Sequence, residues 1–71
     1  MRVKVRLDTM SDIYGFVGIA GSVQERVVLE DNEGNRVSAK SLLGAIYSLE
    51  WVDIYCSCEK DISGKISKWI I

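Results

Sequence analysis

The hydrophobic pattern of this 71-residue chain changes its period several times, and no other feature limits the possible folds so strongly. Residues 2 to 7 alternate apolar with charged side chains, which is typical of a strand with one buried face. From Ile13 to Val23 the apolar residues recur at helical spacing. A chain of this length that alternates between the two patterns folds as strands and amphipathic helices in one small domain.

The middle of the chain predicts a hairpin and a second helix. Residues 26 to 30 and 36 to 38 are β-rich runs, separated by a five-residue segment in which Gly34 or Asn35 takes a positive φ. Ser41 can cap the second helix, because serine is among the best residues at that position. The apolar residues of this helix again follow a helical stripe: Leu42, Leu43, Ile46 and Leu49.

The remaining residues complete the order β-α-β-β-α-β-α. Residues 52 to 58 alternate as a fourth strand, and Asp61 is expected to cap a final helix. We therefore predict an α+β fold, a two-layer open-faced β-sandwich with a four-stranded antiparallel sheet. Its three helices are expected on one face of the sheet, and residues 1–71 are expected to form a single domain.

The first helix carries two further expectations. Its N-terminal cap is expected among the acidic and hydroxyl residues that precede Ile13, namely Asp8, Ser11 and Asp12. Three glycines recur at every third position of the same helix, and their spacing predicts close packing against a backbone. They are Gly15, Gly18 and Gly21, of which Gly21 is also a candidate stop signal.

Composition removes several functional classes. The chain has no histidine, which excludes histidine general-base catalysis, histidine metal ligation and phosphohistidine chemistry. Its net charge of −1, from nine basic and ten acidic residues, differs from the basic excess of a nucleic-acid binder. No uncharged stretch approaches the ~20 residues of a membrane-spanning helix, and no signal peptide is visible. We expect a cytoplasmic monomer that uses no cofactor and binds neither nucleic acid nor membrane.

Cys56 and Cys58 occupy alternate positions of the predicted fourth strand. A metal site would need further ligands from carboxylates or a second chain, and a redox site would need an exposed thiolate. Alignment with Val52 and Ile54 favours the core, where free cysteine packs as a small hydrophobe. Two cysteines are also too few for a disulfide-stapled secreted fold, which favours a reducing compartment.

The charged residues at the ends of the elements have structural interpretations. The basic row of the first strand is typical of a solvated sheet face, although it could contact phosphates or acidic protein. Two carboxylate pairs lie where a helix start favours an acid. The row is Arg2, Lys4 and Arg6, and the pairs are Asp8 with Asp12 and Glu59 with Asp61.

One segment resembles a known family. Residues 36–44 read RVSAKSLLG, which is similar to the regulatory-serine segment of HPr, the histidine-containing phosphocarrier of the bacterial sugar phosphotransferase system. The order of the elements and the lengths between them also fit that family, so the resemblance covers essentially the whole chain. It implies the HPr-like open-faced sandwich.

The resemblance does not extend to the segment in which HPr proteins carry the phosphoryl group. Their Gly-[IL]-His-Ala-Arg-Pro-[AS] run, between the first strand and first helix, corresponds here to DTMSDI at residues 8–13. The place of the histidine falls near Thr9 or Met10, and the following helix has no arginine to assist a phosphoryl group. Asp8 and Asp12 would repel a dianion at the helix start. The resemblance therefore implies an HPr relative that has lost phosphocarrier activity and is not an enzyme.

The resemblance also implies a regulated docking surface. Ser41 corresponds to the serine that a kinase phosphorylates to switch partner binding, and the apolar residues after it dock onto proteins in that family. The expected partner-binding residues are Lys40, Leu42, Leu43, Ile46 and Tyr47. The partners it implies are a phosphotransferase system enzyme, a serine kinase or a transcriptional regulator.

Alternatives remain open at this point. Ser41 could serve only as a helix cap, and the second helix could face the core entirely. Phosphoryl transfer could persist on a non-histidine acceptor near residues 8–13, such as Thr9, Ser11 or an aspartate. The chain could also be an unrelated small α+β module that binds a ligand or a metal.

Overall fold

The computed structural model describes all 71 residues. Its strands are β1 (Arg2–Val5), β2 (Val27–Glu30), β3 (Arg36–Ser38) and β4 (Ile54–Cys58). Its helices are α1 (Met10–Ser22), α2 (Leu42–Ser48) and α3 (Ser63–Ile66), and a 3-10 turn at Ser67–Trp69 follows α3. The order of the elements confirms the predicted β-α-β-β-α-β-α arrangement.

The four strands form one antiparallel sheet in the order β1-β4-β2-β3. Because strand side chains alternate between faces, the register aligns whole rows across the sheet. The row that faces the helices is Val3, Cys56, Leu29 and Val37, and an adjacent outward row is Lys4, Tyr55, Glu30 and Arg36. One face is thus apolar and the other polar, as an open-faced α+β sandwich requires.

The core is a single cluster of sixteen buried residues drawn from the inner face of the sheet and from all three helices. The predicted stripe of α1 is confirmed, since Ile13, Phe16 and Ala20 are fully buried. Trp69 closes the core from the C-terminal side, with its ring edge-on to Phe16 at a centroid distance of 5.4 Å. The packing of the helical layer therefore depends on large side chains from α1 and from the 3-10 turn.

The hairpin follows the sequence closely. Residues 31–35 connect β2 to β3, and Gly34 is the residue with a positive φ, at 92°. The Asp31 carboxylate accepts hydrogen bonds from the backbone N–H groups of Glu33 and Asn35, at 3.0 and 2.9 Å. The Asn35 side-chain amide donates a third bond to Asp31. These bonds lower the pKa of Asp31, the bond from the Asn35 side chain most strongly.

Two strands are shorter than predicted. β1 ends at Val5, because the next residue, Arg6, donates its N–H to the Trp69 carbonyl at 2.8 Å and so leaves the pairing with β4. The fourth strand begins at Ile54, so the prediction that it starts at residue 52 is wrong. Val52 lies in the turn before β4 and is 92% exposed, which removes it from the core face.

The final helix is brief. α3 has four residues, and its cap position is Ile62, whose side chain makes no capping bond. The predicted cap, Asp61, lies one residue earlier, yet its carboxylate accepts the Ser63 N–H at 2.9 Å. Asp61 therefore stabilises the first turn from outside the cap position, and this bonding to Ser63 lowers its pKa.

The expectation for the three glycines of α1 is wrong. Added methyl groups at Gly18 and Gly21 would meet nothing within 4 Å, so no backbone packs against them. At Gly15 a methyl group would lie 3.0 Å from the Trp69 ring, which is a side chain. Gly21 does not stop the helix either, since α1 continues to Ser22.

Candidate functional site

The second helix is seated on the sheet through its small residues. Ala45 and Ser48 are its buried positions, and the Ser48 hydroxyl donates to the Ala45 carbonyl at 2.6 Å. At Gly44 an added methyl group would lie 3.1 Å from Cβ of Val37 and 3.2 Å from the Ser38 carbonyl oxygen. α2 therefore approaches β3 closely, and little room remains beneath it for large side chains.

The large apolar residues of α2 consequently face outward. Leu43 is 80% exposed, Tyr47 is 56% exposed and Leu42 is 39% exposed. Ile46 and Leu49 are half-buried and pack against the edge of the core. We call Leu42, Leu43, Ile46 and Tyr47 the α2 surface. The alternative that this helix faces the core entirely is wrong, because two of the four side chains are more than half exposed.

An aromatic pair extends the α2 surface at its C-terminal end. The Tyr47 and Trp51 rings meet edge-to-face with centroids 6.3 Å apart and planes at 86°. Trp51 is half-buried and packs against the core, so it supports Tyr47 from below. The sequence reasoning did not assign Trp51 a role, and Trp51 lies three residues beyond the end of α2 at Ser48, where helical spacing does not place it.

Ser41 caps α2 as predicted. Its hydroxyl oxygen accepts the Gly44 N–H at 3.1 Å, and Ser41 is exposed. No acidic residue occupies the first turn of α2. The hydroxyl is therefore accessible at a helix start that carries no negative charge of its own.

Lys40 precedes this cap but points its ammonium back toward α1. Its Nζ donates to the carbonyl oxygens of Val23 and Gln24, just beyond the end of α1. Free carbonyls at a helix C-terminus attract cations. Lys40 is an exposed residue, but its charge is engaged in joining the end of α1 to the start of α2.

The start of α1 is organised differently. Thr9 is its cap: the hydroxyl oxygen accepts the Asp12 N–H at 3.0 Å, and the Asp12 carboxylate accepts the Thr9 N–H at 3.2 Å. This reciprocal pair is a capping box. The expectation that Asp8, Ser11 or Asp12 caps the helix is wrong, and α1 begins at Met10, three residues before Ile13. The Thr-x-x-Asp spacing was the signal that could have identified Thr9.

Asp12 also binds two other parts of the chain. It accepts the Asp8 N–H at 3.0 Å and the indole N–H of Trp69 at 3.2 Å. The bond from the Asp8 backbone contributes most to lowering the pKa of Asp12, with bonds from Trp69 and Thr9 adding to it against partial burial. The Asp12 carboxylate thus accepts the amides of Asp8 and Thr9, and the Asp12 amide is bonded to the Thr9 hydroxyl, so a phosphoryl group at this helix start would meet a carboxylate of the chain itself.

Thr9 and Met10 lie at the start of α1, where the resemblance places the histidine. Thr9 has its hydroxyl in the capping box, and Met10, 41% exposed, has a thioether side chain. Tyr14, one turn further along α1, is 59% exposed and was not singled out by sequence reasoning. The loop between β1 and α1 therefore forms a helix cap whose hydrogen bonds are made by its own residues, with the exposed side chains of Met10 and Tyr14 nearby.

The cysteines lie in the core, as predicted. Cys56 is fully buried and Cys58 is 5% exposed, and both are free thiols. Burial raises the pKa of Cys56 to about 12, with the neighbouring Cys58 adding to the effect. Reactive cysteines have low pKa values and some exposure, so these two have the properties of packing residues.

The basic row of β1 lies on the open face of the sheet. The Arg2 guanidinium stacks over the Tyr55 ring at 3.9 Å and bonds to Glu30 at 3.0 Å. Lys4 pairs with Asp53 at 3.1 Å, while Arg6 stays 64% exposed at 4.0 Å from Asp8. The row is solvated and partly paired, in agreement with the interpretation from the sequence.

No group of three or more histidine, cysteine, aspartate or glutamate side chains is placed to hold a metal ion. None of the helices is long and apolar enough to cross a bilayer. No family model, curated protein or solved structure matches the chain.

Proposed function

We propose that this chain is a non-catalytic, HPr-like domain that acts in the cytoplasm by binding protein partners through the α2 surface. The observation that carries the proposal is the outward position of Leu43 and Tyr47 on a helix that is seated through alanine and serine. Neighbouring exposed apolar side chains on a small domain mark interaction sites. The resemblance of residues 36–44 to the regulatory segment of HPr adds independent support.

The partner class follows from that resemblance: a phosphotransferase system enzyme, a serine kinase or a transcriptional regulator. Leu43 and Tyr47 are four residues apart and lie on one side of the helix, so they can enter a single apolar groove. Aromatic side chains contribute strongly to such contacts. Tyr47, held against Trp51, is the expected anchor.

Calorimetric titration with the first enzyme of the phosphotransferase system, the partner that the resemblance indicates first, tests the docking. Leu43→Ala and Tyr47→Ala should each weaken binding by roughly tenfold or more, as expected for buried interface anchors. Val52→Ala is the matched control, because Val52 is exposed and apolar but lies outside α2. Equal weakening by Val52→Ala, or no binding by the wild type, contradicts the proposal for this partner.

We further propose that Ser41 is phosphorylated to regulate this surface. Its hydroxyl is exposed at a helix start without an acidic residue, where an added phosphate is electrostatically favoured. The phosphate would stand beside Leu42 and would alter the charge of the docking surface. Incubation with the serine kinase of the phosphotransferase system and ATP should add one phosphoryl group to the wild type and none to Ser41→Ala. Equal labelling of both proteins contradicts the role of Ser41.

Loss of phosphocarrier activity is tested separately. The chain is incubated with phosphoenolpyruvate and the first enzyme of the phosphotransferase system, and its intact mass is measured. We expect no added phosphoryl group, because residues 8–13 contain no histidine and the Asp12 carboxylate at the start of α1 would repel a phosphoryl dianion. A phosphoryl group located within residues 8–13 would restore the alternative of a non-histidine acceptor.

A further inference from the structure

A second surface lies on the opposite side of the sheet from α2. A groove of about 180 Å³ opens at the β3 edge of the open face and is lined by Arg26, Val28, Arg36, Val37 and Ser38. Two guanidinium groups and a hydroxyl therefore border the outward side chain of Val28, and none of the five lining residues is acidic. Val28 is only 9% exposed even though it faces outward, because it lies at the bottom of this groove.

The two arginines of the groove are less engaged in ion pairs than Arg2 on the same face. Glu30 lies 3.0 Å from Arg2 but 3.7 Å from Arg36, whose side chain is 64% exposed. Arg26 is exposed and lies outside the four salt bridges of the domain. Both guanidinium groups can thus bind an incoming anion without breaking a short ion pair.

The backbone next to the groove is also available. The Ala39 N–H bonds to the Val27 carbonyl at 2.9 Å, which fixes the hydrogen-bonded positions of the β2–β3 ladder. Because these positions alternate, Val37 bonds to Leu29, and the N–H and C=O of Arg36 point to the open edge. The Ser38 carbonyl on the same edge accepts the Ser41 N–H at 3.2 Å, so an extended segment beside the groove would pair with the N–H and C=O of Arg36.

Ser38 contributes a donor at the same place. Its hydroxyl oxygen accepts the Lys40 N–H at 3.2 Å, so its own proton remains free to donate. A carboxylate in the groove could receive bonds from this hydroxyl and from either guanidinium. Such charge-assisted bonds are among the stronger ones in proteins.

The features of the face favour an acidic protein segment over nucleic acid. Single-stranded nucleic acids bind to sheets largely by stacking bases on free aromatic rings. Tyr55 is the aromatic residue of this face, and the Arg2 guanidinium already covers its ring at 3.9 Å. The adjoining groove toward β4 shares Arg26, Val28 and Arg36 with this one. It adds Glu25 and Glu59, whose carboxylates would repel an anion and direct the segment along β3 instead.

We infer that the groove between Arg26 and Arg36 binds an extended, acidic protein segment that pairs with the open edge of β3. A glutamate or aspartate of the segment enters between the two guanidinium groups, and an apolar neighbour contacts Val28. This site is separate from the α2 surface and does not depend on the function proposed for it.

The test uses the full-length, 15N-labelled protein and two blocked peptides that alternate valine with either glutamate or glutamine. Backbone amide shifts should move on addition of the glutamate peptide, chiefly at Arg26, Val28 and residues 36–38, and the affinity should fall as salt is raised. Arg26→Gln and Arg36→Gln should each weaken binding by roughly tenfold, the loss expected from a charge-assisted hydrogen bond. Arg6→Gln is the matched control, since Arg6 and Arg36 have the same side-chain exposure of 64%.

Several outcomes would overturn the inference. They are absence of any shift at millimolar peptide, shifts confined to α2, equal binding of the glutamine peptide, and equal weakening by Arg6→Gln. Tighter binding of oligouridylate than of the glutamate peptide would assign the groove to nucleic acid instead. Urea unfolding of each variant, measured in parallel, separates lost binding from lost folding.

Discussion

The starts of α1 and α2 are both capped by a hydroxyl side chain, but they differ in how accessible they leave the surrounding surface. At α1, Thr9 and Asp12 satisfy each other's backbone amides, and Asp12 also accepts the indole N–H of Trp69. At α2, Ser41 makes a single capping bond, and Leu43 in the turn that follows is 80% exposed. One start is closed by its own side chains, whereas the other is left accessible.

The difference shows how a small domain can separate stability from interaction. The closed start joins β1, α1 and the C-terminal turn through one carboxylate and one indole ring, so it supports the core. The open start is joined to the rest by the close approach of Gly44 to β3 and by the Lys40 ammonium. Binding or modification at α2 therefore need not disturb the core beneath α1.

The largest effect is expected for Trp69→Ala, which removes the ring that closes the start of α1. Loss of this buried aromatic residue should cost about 3–5 kcal/mol in the free energy of unfolding. Trp51→Ala should cost clearly less, because Trp51 is half-buried beneath the open α2 surface. Urea unfolding followed by circular dichroism measures both. A cost for Trp51→Ala equal to that for Trp69→Ala would end the contrast between the two helix starts.

Next in size is Gly44→Ala, which tests how closely α2 is seated. The new methyl group would meet Val37 at 3.1 Å and the Ser38 carbonyl at 3.2 Å, so we expect a loss of about 1–3 kcal/mol from overpacking. Gly18→Ala in α1 has open space around it and should gain up to ~1 kcal/mol from helix propensity. Changes in the free energy of unfolding that have the same sign for Gly44→Ala and Gly18→Ala would contradict the close approach of α2 to β3.

Ser41→Ala should cost about 1 kcal/mol, the usual contribution of a serine cap. Ser22→Ala is the matched control, since the Ser22 hydroxyl only donates to the Ile19 carbonyl within its own helix, and its effect should lie within about 0.5 kcal/mol. Thermal and urea unfolding both report the difference. An unchanged stability of Ser41→Ala would mean that the hydroxyl contributes nothing to the start of α2.

The smallest effect is confined to acidic solution and concerns Asp12. Its pKa in the folded protein lies below the ordinary 3.8, so the carboxylate stabilises the fold above that pH. This stabilisation is lost as the pH falls through the lowered pKa. The difference in unfolding free energy between wild type and Asp12→Asn should therefore shrink between pH 6 and pH 2. A difference that is independent of pH would show that the charge of Asp12 is not what closes the start of α1.

Much of this architecture could be predicted from local pattern. The first strand, the stripe of α1, the hairpin and the Ser41 cap each depend on residues close in sequence, and all were found, although β1 ends at Val5 and α1 begins already at Met10. The prediction for residue 52 failed, because alternation continues through the turn before β4 although the pairing with β1 begins only at Ile54.

The accessible face of α2 could not be derived from its sequence alone. The resemblance predicted a docking surface on this helix, but which of its apolar side chains are exposed depends on Ala45 and Ser48 occupying the buried side. The reason lies in β3: Val37 and the Ser38 carbonyl stand so close to Gly44 that only small residues fit between helix and sheet. Such a distance between elements is a tertiary property, and no periodicity within α2 encodes it.

The two free, buried thiols of β4 can report how often the sheet opens. Cys56 is fully buried and Cys58 almost so, and a thiol whose pKa is raised to about 12 is scarcely nucleophilic at neutral pH. An alkylating reagent can therefore modify Cys56 only when β4 separates from its neighbours. The alkylation rate of the unmodified protein measures how often the centre of the sheet opens, without denaturant and without an added label.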